Sequence, residues 1–331
     1  MNYWDLPPSL RREVDAFRFK TQLRVRFVET DAQGVVYNGS FLTYLDVARV
    51  EYHRNLHLLE SQFPNKWWDG TVAETEVDYL APARFDDVLT IYVRCAWTRR
   101  RSLGFSHLIF NETTGHLIAR ATSGHVTLHP DTREPLELPE PLRERLTAFD
   151  GDRILVGDAA PRHERPRLGQ GDVPDEVRRY HFKDSVRVRA AETDAQGIVY
   201  NGTFFTYLEV GRVSYIRTLL GQTVRNVAKQ GFDISVAQAA CQFRAPARFD
   251  EILDIHVRIA RVGRSSIRFD YLILTRSSQR LVATGDTVMV WVHPETRRPI
   301  AVPEWLRERI REIEGAAAIV PPLAELEKAG A

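Results

Sequence analysis

The chain has 331 residues, 44% hydrophobic and 27% charged, and its 45 Lys and Arg against 44 Asp and Glu leave a formal charge of +1. That composition is globular; it excludes disorder and fibre, and it supplies no overall drive toward nucleic acid or an anionic membrane. Two cysteines, Cys95 and Cys241, are too few for a disulfide framework or a paired-cysteine zinc site, so no metal is expected and a reducing compartment fits. Residues 1–13 hold no apolar signal core, and no run approaches the roughly 18 apolar residues of a membrane span. The expectation is a cytoplasmic protein of about two domains, with neither nucleic acid nor membrane as partner.

In chain order, residues 20–28 alternate apolar and polar with period two, which predicts a half-buried strand. Asn38, Gly39 and Ser40 then supply N-cap chemistry, and Phe41, Tyr44, Leu45, Ala48 and Tyr52 recur at helical spacing to about His57. From about Val72, the runs LTIYVRCAW, LGFSHLIF and IARATSGHVTLH are rich in β-branched and aromatic residues and predict an antiparallel meander.

The whole pattern then recurs. Residues 30–39 read TDAQGVVYNG and residues 193–202 read TDAQGIVYNG, with nine of ten positions matching. The following helix matches as well, and APARFDD at 81–87 returns as APARFDE at 245–251. Two copies of this length predict two like domains rather than a solenoid. We place them at 17–148 and 178–314, joined by a Gly-, Pro- and charge-rich linker at 149–177 and followed by a tail at 315–331 that carries at most a short terminal helix. Each copy is α+β: about five antiparallel strands with one long helix laid across their apolar face.

Asp31 and Asp194 each follow a strand and precede Gly34 or Gly197 by three residues, and the ordinary reading is a turn. Against it stands a contrast in retention, because residues 62–80 keep only three of nineteen positions in the second copy. The available chemistry is a carboxylate beside a helix N-terminus, whose unpaired N–H groups can receive an oxyanion. Such a carboxylate can activate water or attack a carbonyl directly, which outlines acyl transfer.

The run DAQGVVYNG followed by SFLTYLDVAR resembles the motif of hot-dog-fold acyl-CoA thioesterases of the 4-hydroxybenzoyl-CoA thioesterase type. The resemblance covers both copies. It implies a curled sheet wrapped around one helix, and two such units paired through their sheets inside one chain. It also implies hydrolysis of an acyl-CoA to free acid and CoA without a cofactor other than the CoA of the substrate. By resemblance Asp31 and Asp194 are the catalytic carboxylates, as nucleophile or general base, and the N–H groups of Asn38 and Asn201 polarise the carbonyl. Tyr37, Gly39, Tyr200 and Gly202 flank those amides as expected substrate contacts. An acyl carrier protein in place of CoA, or acyl-thioester binding without catalysis, are the alternatives; further self-association of the paired units is possible.

Asp46 and Glu209, on the helix, are reserve carboxylates, although an i,i+3 ion pair with Arg49 and Arg212 is the simpler reading. His129 and His293, each before proline, are read as structural. Hydratases of this fold place a His five residues after the Asp, where this chain has Val36 and Val199. Arg100 and Arg264, beside Arg99, Arg101 and Arg261, are candidate phosphate contacts for CoA or else a solvated hairpin tip. Phe63, Trp67 and Trp68, matched only loosely by Phe232, are candidate acyl-pocket walls or simple core.

Overall fold

The computed structural model describes residues 5–59, 69–157, 168–221 and 233–319. It divides into two units, Met1–Pro166 and Arg167–Ala331. In the N-terminal unit α1 (Pro8–Val14) precedes β1 (Phe19–Arg24), α2 (Ser40–Asn55), β2 (Asp69–Tyr79), β3 (Val88–Thr98), β4 (Ser102–Asn111), β5 (His116–Leu128), α3 (Glu140–Asp150) and the short β6 (Leu155–Val156). The C-terminal unit repeats this order as α4 (Val173–Val177), β7 (Phe182–Arg187), α5 (Asn201–Leu220), β8 (Asp233–Phe243), β9 (Ile252–Val262), β10 (Ser266–Thr275), β11 (Leu281–Val292) and α6 (Glu304–Glu314).

Strand order is β1-β3-β4-β5-β2 in the first unit and β8-β11-β10-β9-β7 in the second, antiparallel throughout these ladders. Period-two alternation puts Leu89, Ile91, Val93 and Cys95 of β3 on one face, all fully buried, and α2 packs there through Phe41, Tyr44, Leu45, Ala48 and Tyr52. The Leu, Ile, Val and Phe side chains among these contribute roughly 1.5–3 kcal/mol of burial each. Both units therefore have the hot-dog arrangement of one long helix on one curled antiparallel sheet, as expected. Among the described residues no helix is long and apolar enough to cross a membrane.

The expected linker is shorter than its composition suggests, because both of its ends fold onto a neighbour. The Asp150 carboxylate is buried and accepts hydrogen bonds from Tyr52 Oη (2.6 Å) and the Cys95 N–H (2.9 Å), while Leu155–Val156 pairs with Trp97–Thr98. Val173, in α4, packs with Leu272, Leu274 and Leu281 on the outer sheet face. The same device starts the first unit, where Leu6 and Val14 cover Leu108 and Phe110, so that domain begins before residue 17. In the tail, Ala316–Ala318 forms a short 3-10 turn, and residues beyond 319 lie outside the described residues.

The seam between helix and sheet differs between the units. Phe105 is ringed by His53, His107 and His125, whereas the matching positions of the second unit hold Ile216, Tyr271 and Met289. Burial first, and then the Arg49 charge, push His107 down to about 3; His125 is depressed by the same causes and by its two histidine neighbours. Both imidazoles are neutral when folded and titrate near 6.5 when unfolded, so the unfolded state binds more protons below that pH. The stability they allow is fully present above about pH 6.5 and is lost as pH falls. We expect the N-terminal unit to lose about 2–4 kcal/mol between pH 7 and pH 5, and His125→Met to flatten that slope. Urea midpoints measured across this range test it; equal slopes for parent and variant would contradict it.

Candidate active site

The twice-kept loop is held from beneath by a buried carboxylate. After β1, a 3-10 turn at Phe27–Glu29 folds Glu29 back so that it accepts the Arg26 N–H (2.7 Å) and the Arg26 guanidinium (2.9 and 2.5 Å). Tyr44, one turn into α2, donates its hydroxyl to the same carboxylate at 2.9 Å. Burial pushes the Glu29 carboxyl up, but Arg26 and Tyr44 outweigh it and hold it below the usual carboxylate range. Burial and then Glu29 push the Tyr44 hydroxyl far above its usual value, so it remains a donor. Glu192, Arg189 and Tyr207 repeat this arrangement at the same distances. The Glu29 carbonyl accepts the Tyr37 N–H (2.8 Å) and the Ser40 hydroxyl (3.3 Å), which fixes the chain where it enters the helix. Sequence reasoning assigned these residues no role, yet Glu-Thr precedes the aspartate in both copies and Tyr44 and Tyr207 are a matched pair.

Asp31 is exposed and Asp194 half-buried, and each sits in the turn that the ordinary reading foresees. Asp31 Oδ1 accepts the Gln33 N–H and Asp194 Oδ1 the Gln196 N–H, both at 2.8 Å; Gly34 and Gly197 close the bend at φ 72°, where a side chain would be strained. Oδ2 of either aspartate accepts no hydrogen bond among the described residues. The second repeated motif clamps this loop: the Ala83 carbonyl takes the Val36 N–H (2.8 Å), the Ala247 carbonyl takes the Val199 N–H (2.8 Å), and Arg84 Nη1 reaches the Gly34 carbonyl at 3.3 Å.

Helix entry departs from expectation in detail. α2 begins at Ser40 with Gly39 as N-cap, so Asn38 lies in the preceding turn, whereas α5 begins at Asn201 itself. No side chain caps either helix; the Ser40 hydroxyl donates to the Glu29 carbonyl and the Thr203 hydroxyl to the Glu192 carbonyl (3.5 Å). The N–H groups of Asn38 and Asn201 donate to no group among the described residues. The Asn38 carbonyl accepts the Tyr79 hydroxyl (2.9 Å), a bond the second unit lacks because Phe243 replaces Tyr79. Tyr37 covers the helix start so closely that a Cβ on Gly39 would lie 2.5 Å from its ring. Tyr200 and Gly202 hold the matching positions at Asn201, with Gly202 buried.

Other candidates separate from this loop. Asp46 forms the expected i,i+3 ion pair with Arg49. Arg212 instead turns inward to Tyr271 Oη (3.5 Å), and no Glu209–Arg212 ion pair exists among the described residues. Arg100 is paired with Glu137 (3.3 Å) at the β3–β4 hairpin, and its carbonyl takes the Leu138 N–H. That hairpin adjoins the Asp69 end of the sheet, about 30 Å along β2 from the Tyr79 end where Asn38 sits. Arg264 lies at the corresponding β9–β10 hairpin, its carbonyl bonded by the Val302 N–H. Within its own unit neither arginine reaches the loop. His129 and His293 accept two backbone N–H groups each through Nδ1, closing strand-end turns. Phe63, Trp67, Trp68 and Phe232 lie outside the described residues. Among the described residues no cluster of His, Cys, Asp and Glu is placed to hold a metal ion.

Two hot-dog units in tandem, each with the same aspartate turn before its long helix, define a tandem hot-dog protein. A family description, Thioesterase-like superfamily, matches residues 25–146 and 188–310, and the chain belongs to that superfamily. Over 123 residues it is 34% identical to the acyl-CoA thioester hydrolase YbgC of Escherichia coli, a match spanning 37% of this chain and 90% of the relative. An acyl-ACP thioesterase from Bacteroides thetaiotaomicron shares the fold with a TM-score of 0.62 at 10% identity, over 84% of this chain and 99% of that one. The 12:0-ACP thioesterase from Umbellularia californica does so with a TM-score of 0.60 at 13% identity, over 82% and 94%.

Proposed function

We propose that the protein hydrolyses acyl-CoA thioesters to free acid and CoA at one site per unit, built on Asp31 with Asn38 and on Asp194 with Asn201. The observation that carries this reading is the twice-built loop, in which a carboxylate anchored by one oxygen precedes an unengaged amide N–H by seven residues. The thioester carbonyl oxygen takes that N–H, so the charge developing on a tetrahedral adduct meets an oriented donor. Oδ2 then attacks the carbonyl carbon, the C–S bond breaks, CoA leaves as thiolate, and water opens the resulting anhydride. In the general-base variant, Oδ2 takes a proton from the water that adds to the same carbon. Arg84, the cation at the first loop, and its counterpart Arg248 replace Arg100 and Arg264 as the proposed phosphate contacts.

A carrier-protein thioester is the second reading, favoured by the tandem fold shared with the two acyl-ACP thioesterases. Comparing kcat/KM for matched acyl-CoA and acyl-carrier substrates separates the two. Saturable acyl-CoA binding without turnover of either would make the protein a binder and overturn the proposal.

Tyr79→Phe gives the first unit the residue that the second already has. In an Asp194→Asn background we expect kcat to fall about 2–5-fold, the effect of losing one neutral hydrogen bond behind the Asn38 amide. An unchanged kcat would contradict a positioning role for Tyr79.

A further inference from the structure

The outer face of the N-terminal sheet, opposite α2, holds a half-open cavity of about 420 Å³ walled on one side by Glu13 and Phe17. Its floor is one cross-strand row: Arg94 of β3 faces Ser106 of β4, Ser106 faces Thr122 of β5, and Thr122 faces Glu76 of β2. The C-terminal unit is an internal control. Its matching row reads Arg258, Asp270, Asp286 and Ala240. There Asp270 pairs with Arg258 (3.1 Å) and with Arg268 (3.0 Å), Arg268 stands 3.6 Å from Asp286, and Arg258 stands 3.8 Å from Glu176. The positions of Asp270, Asp286 and Arg268 are Ser106, Thr122 and Gly104 in the first unit. Three charged side chains that close the row in one unit are thus two hydroxyls and a glycine in the other.

What remains is a cation whose neighbours along the row, Ser106 and Thr122, carry no carboxylate. Arg94 donates to the Arg153 carbonyl (2.8 Å) and lies 5.5 Å from the centre of the Phe17 ring; the Asp150 charge acts on it, but among the described residues no carboxylate makes a direct ion pair with it. Arg120, next along β5, is engaged by Glu13 through two bonds of 2.8 Å. At the far end of the row stand Glu76 and Asp78. A bare anion would meet these carboxylates and a bare cation would meet the arginines, so the lining favours a ligand with both charges.

We propose that this cavity binds a small zwitterionic amino carboxylate, between an amino acid and a dipeptide in size, a role separate from thioester hydrolysis. Its carboxylate takes the place that Asp270 fills in the other unit, between Arg94 and Ser106, and its ammonium group lies at Glu76. The volume is at the lower end of that found for small-molecule sites.

Calorimetry on the full chain tests this with glycine, alanine, β-alanine, 4-aminobutyrate and alanyl-alanine, and with propionate and propylamine as single-charge controls. We expect at least one amino carboxylate to saturate, with both controls weaker by about tenfold or more. Ser106→Asp restores the filled row of the second unit and should weaken that ligand by about tenfold or more while acyl-CoA hydrolysis is unchanged. Arg94→Gln, with folding checked by circular dichroism, should do the same. No binding across the series, equal binding to Ser106→Asp, or a single-charge control binding as tightly would each overturn the proposal. Because the readout is binding, its failure is distinct from any failure of the thioesterase reading.

Discussion

Replacing Asp150 by alanine is expected to destabilise the N-terminal unit by about 3 kcal/mol. Its carboxylate is fully buried and ties three elements together, since it closes α3 while accepting from Tyr52 on α2 and from Cys95 on β3. Truncation leaves the Tyr52 hydroxyl and the Cys95 N–H buried without an acceptor, at roughly 1–3 kcal/mol each, and opens a small void. Burial also pushes the Asp150 carboxyl up, and Tyr52 and Cys95 only partly offset it, so the native interaction already carries a desolvation cost. Asp150→Asn, which keeps an acceptor and removes the charge, should therefore be much milder than alanine. At about 2–4 °C per kcal/mol for a unit of this size, alanine lowers Tm by roughly 6–12 °C. Glu314 plays the same part in the second unit, accepting from the Tyr215 hydroxyl and the Ile259 N–H, so Glu314→Ala should match it. Thermal unfolding of the three variants decides the matter; an alanine variant as stable as the parent would contradict the network.

The double variant Asp31→Asn with Asp194→Asn is expected to lose about 10²- to 10⁴-fold in kcat on acyl-CoA, the range over which a positioned acid–base group acts. Asparagine retains the side-chain oxygen that accepts the Gln33 or Gln196 N–H, so the turns and the fold should persist and the loss is chemical. The single variants then report the division of labour. Equal units leave each single variant with about half the parent rate, whereas one silent unit concentrates the loss in the other aspartate. A double variant as fast as the parent would remove the carboxylates from the mechanism.

Much of this was legible in the chain because the repeat acts as its own comparison. The helix at Phe41–Tyr52 followed from a 3.6-residue period and the strands from β-branched runs, and both signals are local. The APARFD turn was visible as a repeat, but its purpose was not, since the Val36 N–H and Ala83 carbonyl are far apart in sequence and only the folded chain brings the two loops together. The Glu29–Tyr44 bond spans fifteen residues and a change of direction, which no periodicity reports. Arg100 stands at the hairpin tip that the simpler reading foresees; an arginine cluster signals charge without position, and the hairpin carries it to the other end of its own sheet. The ends of the expected linker were misread through composition: Pro and Gly are dense there, yet a few residues such as Val173 and Asp150 suffice to anchor its edges.

The most direct measurement is a crystal structure with an acyl-CoA analogue in which the thioester sulfur is replaced by methylene, giving an inert ketone. The expected result is a ketone oxygen about 2.7–3.1 Å from the N–H of Asn38 or Asn201, with Asp31 or Asp194 Oδ2 about 3–3.5 Å from the carbonyl carbon or one water away. A ketone bound with its oxygen remote from both amides, or with both aspartates still facing away from it, would contradict the mechanism.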